Sequence, residues 1–253
     1  MRHLVEISVA VHNKWNVTEA FLNNLFSSIK SYGHVAVNII DNASTDRTVV
    51  ELDKFDKKAS IFYNMLNIGY ASAHNSIIRK SFANFSCIIH NDVVFKDNWL
   101  DKMVDRMQDD VRLGVLGVVN NVSGVLNIGG VLEDNGMHIQ KSLNDRIEDY
   151  DLDFVSSGCL LIRHGVFSKV GAFDEKYIFG FNSDVDFCVL AKDNGFLLGV
   201  CKDVQIVHNL GMTASDVGVE KYSEENRIYF VKKNRNWLEK NKGRAVLRRA
   251  RRM

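Results

Sequence analysis

The chain has 253 residues, 46% of them hydrophobic and 25% charged, with a formal net charge of +1. That composition suits one sizeable globular core, and no apolar run approaches the ~18 residues that cross a bilayer. The near-neutral total hides a split: from Glu220 onward twelve Lys/Arg face four acids, a net +8, while the residues before it carry −7. A basic tail of this kind suits an anionic partner, a membrane surface or DNA, or else forms a solvated helix face. The first residues lack a basic segment followed by an apolar one, so the expected location is cytoplasmic, with peripheral residence at the inner face of the membrane through the tail. Cys87, Cys159, Cys188 and Cys201 are widely spaced in apolar surroundings and read as reduced core residues. Proline is absent, which leaves the turns to glycine, asparagine and aspartate.

Val5–Val11 alternates as a first strand, and residues 12–16 follow as a loop. Residues 18–29 carry apolar side chains at helical spacing, with Asn16 or Thr18 placed to cap them. A second strand over 35–40 ends on Asp41. Strand, helix, strand is a parallel βαβ unit, and its right-handed crossover sets the two strand ends side by side. Ser44, Thr45 and Asp46 offer capping side chains to a helix over 48–55. After a third strand over 60–64, Asn67 introduces a helix running to Phe82, whose Gly69, Ala71, Ser72 and Ala73 permit close approach of a ligand or a strand.

The apolar run over 87–95 is interrupted by His90-Asn91-Asp92. A buried strand there delivers Asp92 to the edge where open α/β sheets hold their ligands. Asp92 is then either a turn residue or a ligand for a hard divalent cation, Mg2+ or Mn2+, which takes protein carboxylates together with substrate phosphates. Asp41 ends at the same edge, where a carboxylate can accept the imide N–H of uracil.

Further on, the pattern predicts a strand over 114–119, a glycine-bearing loop over 120–130 and a buried strand over 154–162. The polar stretch 133–153 reads as an acceptor-side loop or as surface elaboration. A helix over 187–194 stops at Gly195, and a strand over 200–207 ends on His208. A loop over 209–215, a helix over 221–240 and a basic amphipathic end over 244–253 complete the chain, the last suited to anionic lipid or a phosphate backbone.

The ordered series Ile-Asp-Asn-Ala-Ser-Thr-Asp (40–46), Asn67 through Asn75, Ile-His-Asn-Asp-Val (89–93), residues 154–163, 170–175, 184–187 and Val207-His208 resembles the family-2 glycosyltransferases of the GT-A fold. The likeness spans most of residues 4–210. It implies one GT-A type α/β domain over 1–219, a mixed, mostly parallel sheet flanked by helices, followed by a basic C-terminal helical extension over 220–253. It also implies a nucleotide-sugar donor, UDP-linked in the first instance, lying across the strand ends. By the resemblance Asp41 contacts the base, Asn67 lies beside the nucleotide, and Asp92 is the last carboxylate of an Asp-x-Asp metal motif. Gly158 lets the donor sugar approach the backbone, and Asp184 is the general base of an inverting transfer. Asp186 holds its helix or the acceptor. His208 and His90 are further metal candidates, and the loop over 209–215 closes on the donor.

The family pattern places carboxylates where this chain has His90 and Ser183. An imidazole suits Mn2+ better than Mg2+. The acceptor implied is a hydroxyl of a surface polysaccharide or lipid-linked saccharide. Two rivals stay open: a glucosyltransferase acting on hydroxymethylated DNA bases, which would use the basic tail, and a non-catalytic nucleotide-sugar binding module. A nucleotidyltransferase would need a glycine-rich basic phosphate loop after the first strand, and residues 12–16 do not form one.

Overall fold

The computed structural model describes residues 4–29, 33–96, 98–145, 147–208 and 220–242. The loop expected over 209–215 and the basic end over 244–253 lie outside them. The chain opens with β1 (Val5–Val11), α1 (Trp15–Ser28) and β2 (Val35–Asp41). Strands β1 and β2 pair in parallel from Val5↔Val35 to Val11↔Asp41, so both strands end at one edge of the sheet. Helix α1 begins at Trp15, earlier than its spacing predicts, and neither Asn16 nor Thr18 caps it. Instead the Trp15 N–H meets Asp46 Oδ2 at 3.3 Å, from the loop after β2. A carboxylate from the neighbouring crossover thus does the work that the local side chains offer to do.

A short helix α2 (Thr48–Glu51), continued by a 3-10 turn over Leu52–Phe55, leads to the edge strand β3 (Ser60–Tyr63). Helix α3 (Gly69–Ile78) ends short of Phe82, and β4 (Phe85–His90), β5 (Val93–Val94) and α4 (Trp99–Asp109) follow. In place of a strand and a glycine-bearing loop, β6 (Leu113–Val122) and β7 (Val125–Leu132) form a hairpin. Its turn residues Ser123 and Gly124 both have positive φ, 49° and 88°, which matches the twist of the flanking strands. The polar stretch 133–153 contains β8 (His138–Ser142), paired with β7, and a 3-10 turn over Asp149–Asp151. The single strand expected over 154–162 is two, β9 (Phe154–Val155) and β10 (Cys159–Arg163). The chain changes partners between them: β9 pairs with β7, whereas β10 pairs with β4 and β6. Helices α5 (His164–Val170) and α6 (Ser183–Asp193), strand β11 (Leu197–His208), and helices α7 (Glu220–Lys233) and α8 (Arg235–Lys240) complete the described chain.

The sheet runs β3-β2-β1-β4-β10-β6-β11-β5, with β7 to β9 attached through β6. Strands β3, β2, β1, β4, β6 and β11 share one direction, which β10 and β5 oppose. Strand β4 is buried on both faces: Phe85, Cys87 and Ile89 join a core under α1 and α4, and Ile88 joins the opposite core with residues of α5 and α6. That explains its unbroken apolar run. All four cysteines are free and buried, as their surroundings suggest. No helix among the described residues is long and apolar enough to cross a membrane.

Phe230 of α7 and Trp237 and Leu238 of α8 belong to the second core. A polar clamp fixes α7 to α6: Lys233 Nζ donates to Asp174 and Asp186, each at 2.7 Å, and Asn234 Nδ2 donates to Asp186 at 2.7 Å. Asp186 is 1% exposed, and its carboxylate is taken up by Lys233 and Asn234. Removing it would leave a partly buried ammonium and a buried amide under-partnered. Asp186→Ala is therefore expected to lower the unfolding free energy by about 3 kcal/mol, read from urea denaturation.

Candidate active site

The co-directed strands end at one edge, and there a cleft of about 680 Å3 opens. Its wall includes His12 beyond β1, Asn42 beyond β2, His90 at the end of β4 with Asn91 and Asp92 beyond it, Asn120 of β6 and His208 of β11. Asp184, in the first turn of α6, faces the same space.

Asp92 and His208 meet because β5 begins one residue after Asp92 and pairs antiparallel with the end of β11, His208 opposite Val93. His208 Nε2 lies 3.2 Å from Asp92 Oδ1, and His90 Nδ1 lies 3.3 Å from His208 Nε2. Donor atoms of His90, Asp92 and His208 all fall within 4.8 Å of one another. Burial, followed by the neighbouring His208, pushes the His90 imidazole down to about 4, against the pull of Asp92 and Asp184. It is neutral near pH 7, as a metal ligand must be. Asp92 Oδ1 is buried, with the His208 imidazole as its neighbour inside the cluster. Two imidazoles and a carboxylate with a spare oxygen fit a divalent transition ion.

Asn42 is the hub of the opposite wall. Its Nδ2 donates to Asn67 Oδ1 at 2.8 Å and to the Gly69 carbonyl at 3.3 Å. Its Oδ1 accepts from Asn64 Nδ2 and from the Ile68 N–H, both at 3.1 Å. His12 Nδ1 donates to the Asn42 carbonyl at 3.0 Å. Asn67, expected beside a nucleotide, is on the cleft wall, whereas Asp41 is 2% exposed and accepts the Ser44 N–H at 3.2 Å from beneath it. Gly158 likewise lies behind the wall, whose surface there is Ser156 and Ser157. A Cβ at Gly158 would stand 3.0 Å from Asn120 Nδ2 and from His208 Nδ1, so the room it leaves is filled by those side chains. Ser183 bonds the Gly180 carbonyl at 2.6 Å and is fully buried.

Besides His90, Asp184 acts electrostatically on two cleft groups. Burial drives the Tyr70 hydroxyl far above its usual range, and Asp184 adds to that; burial lowers His138, and Asp184 opposes it. Tyr70 packs edge-on against His74 and His90, and its buried hydroxyl has no partner. His74, held near 3 by burial and by His90, shares a 2.8 Å hydrogen bond with Ser8. Asn42, Tyr70, His74, Asn120 and His138 escape a reading by spacing, because only tertiary contacts distinguish them from ordinary polar residues.

The fold is that of the GT-A glycosyltransferases. The mannosyltransferase PcManGT from Pyrobaculum calidifontis, solved with GDP-Man and Mn2+, superposes with a TM-score of 0.65 at 15% identity, covering 84% of this chain and 59% of that one. GalNAc-T7 with UDP, GalNAc and Mn2+ gives 0.66 at 14%, covering 82% and 44%. Residues 1–349 of S. aureus TarS with UDP-GlcNAc give 0.62 at 17%, covering 85% and 61%. The chain belongs to glycosyl transferase family 2, whose sequence model matches residues 6–171. Curated relatives include the uncharacterized protein y4gI of Sinorhizobium fredii, 23% identical over 214 residues, which are 76% of this chain and 23% of that protein. An uncharacterized glycosyltransferase of Haemophilus influenzae is 24% identical over 119 residues, 45% of this chain and 36% of that protein. The chain spans well under half the length of either relative.

Asn42→Ala removes the acceptor of one backbone N–H and the donor that holds Asn67. The expected cost is about 2 kcal/mol, with faster hydrogen exchange confined to residues 64–69. Uniform exchange with unchanged stability would show that the wall is held by other contacts.

Proposed function

We propose that the chain transfers a sugar from a nucleotide-sugar donor, UDP-linked in the first instance, to an acceptor hydroxyl with inversion. The observation that carries this is the meeting of His90, Asp92 and His208 at the strand ends, in a cleft that Asp184 also faces. Membership of family 2 supports it. The neighbours that hold GDP-Man or UDP-GlcNAc in the same fold support it too.

In this reading the diphosphate lies against the His90, Asp92 and His208 cluster, with the base toward Asn42 and Asn67. An ion held by the cluster supplies counter-charge to the leaving diphosphate. The acceptor oxygen attacks the anomeric carbon from the face opposite the nucleotide. As that bond forms, the bond to phosphate oxygen breaks, and its electron pair leaves with the nucleoside diphosphate. Asp184 takes the acceptor proton, since a base on the far side of the sugar is what inversion requires. Neutral His74 and the unpartnered Tyr70 hydroxyl offer polar contacts to the donor without adding charge. The acceptor is a saccharide hydroxyl, surface-bound or lipid-linked.

Three experiments test this. UDP-sugars incubated with the protein should release UDP with Mn2+ and far less with Mg2+, because two of the three ligands are imidazoles. Asp92→Ala should abolish the effect of Mn2+ on donor binding, measured calorimetrically. Asp184→Asn should bind donor normally and lose roughly 10²- to 10⁴-fold in transfer. Full transfer by Asp184→Asn would remove that residue from the base role, and failure of every nucleotide-sugar to bind would end the donor reading.

A further inference from the structure

Asn120 sits on β6 opposite Ile206 of β11, and His208 is two residues further along β11 on the same face. The run leading to it, Val115 to Val119, is wholly buried, and Asn120 is itself 3% exposed. A primary amide is costly at such a place unless it is used. Its Nδ2 lies 3.4 Å from His208 Nδ1, and its Oδ1 is buried without a partner.

We infer that Asn120 is a positioning residue that sets the tautomer of His208, and that residue 158 is glycine to make room for this pair. The inference rests on the cation-binding reading of the cluster. With Nδ2 facing the ring, Nδ1 must accept, so the ring proton sits on Nε2 and is directed at Asp92 Oδ1, 3.2 Å away. In that tautomer the nitrogen facing His90 and Asp92 has no lone pair to give. A half-turn of the amide brings the unpartnered Oδ1 to the ring. Nδ1–H then donates to it, and the Nε2 lone pair is turned toward the cluster. A histidine that binds a metal through one nitrogen commonly donates a hydrogen bond from the other, and this contact fixes the ring and raises its basicity. The two ends of one amide therefore select between a histidine that bonds Asp92 and one that can bind an ion. A Cβ at position 158 would crowd it, meeting Ile206 Cδ1 at 2.9 Å and both members of the pair at 3.0 Å.

The test uses Mn2+ alone, followed by loss of the free-ion electron paramagnetic resonance signal, with thermal melting to verify folding of each variant. Asn120→Leu should weaken Mn2+ binding roughly 10- to 100-fold. Asn120→Asp, which still accepts from Nδ1–H, should stay close to wild type, and His208→Ala should lose the site. Wild-type affinity in Asn120→Leu alongside loss in His208→Ala would overturn the role of Asn120 and leave the metal cluster standing. Equal weakening by Leu and Asp would reduce Asn120 to packing. Absence of Mn2+ binding by the wild-type chain would overturn the cluster and this inference with it. Independently of any variant, long-range proton–nitrogen spectra of the wild-type protein with Zn2+ should place the His208 proton on Nδ1. A proton on Nε2 would refute the assignment.

Discussion

The His90, Asp92 and His208 cluster depends on a two-residue ladder. Strand β5 is only Val93 and Val94, yet its antiparallel pairing with Val207 and His208 closes the far side of the sheet. Asp92 precedes that ladder and His208 lies within it, so the contact that ends the sheet also assembles the cluster. Backbone hydrogen bonds hold such a pair more firmly than two side chains on separate loops could hold each other. The rest of the wall follows from one fact about direction. Six strands share an orientation, so their ends, and the turns that follow them, arrive at one edge.

The electrostatics of the cleft are arranged around few charges. Buried His74 and half-buried His90 are both held well below the usual imidazole range, and Tyr70 is driven well above the phenol range. Near neutral pH these three are uncharged, which leaves Asp92 and Asp184 as the acids on the wall. Both acids line the same cleft.

Much of this was legible from the amino-acid order. The apolar run that stops at His90 and the βαβ unit that stops at Asp41 announce a parallel edge, and the series of short motifs announces the family. Three things were not legible. The β6–β7 hairpin hides behind Asn120, Asn121, Gly129 and Gly130, residues that read as a loop until cross-strand pairing is known. The break between β9 and β10 hides because both strands are apolar, and only their different partners separate them. The cap of α1 comes from Asp46, which local sequence assigns to the following helix; it does that too, accepting the Thr48 N–H at 2.9 Å. Asn42 and Asn120 were hidden for a related reason. An asparagine among turn residues carries no pattern, and its importance appears only when its four hydrogen-bonding sites are followed across the fold.

The clamp between α6 and α7 has a further implication. Asp184 and Asp186 are two residues apart in the first turn of one helix, one turned to the cleft and the other gripped by Lys233 and Asn234. The pitch of that turn is therefore set partly from the carboxyl-terminal side of the chain. A change confined to Lys233 of α7 would therefore shift the Asp184 carboxylate within the cleft without touching the cleft itself.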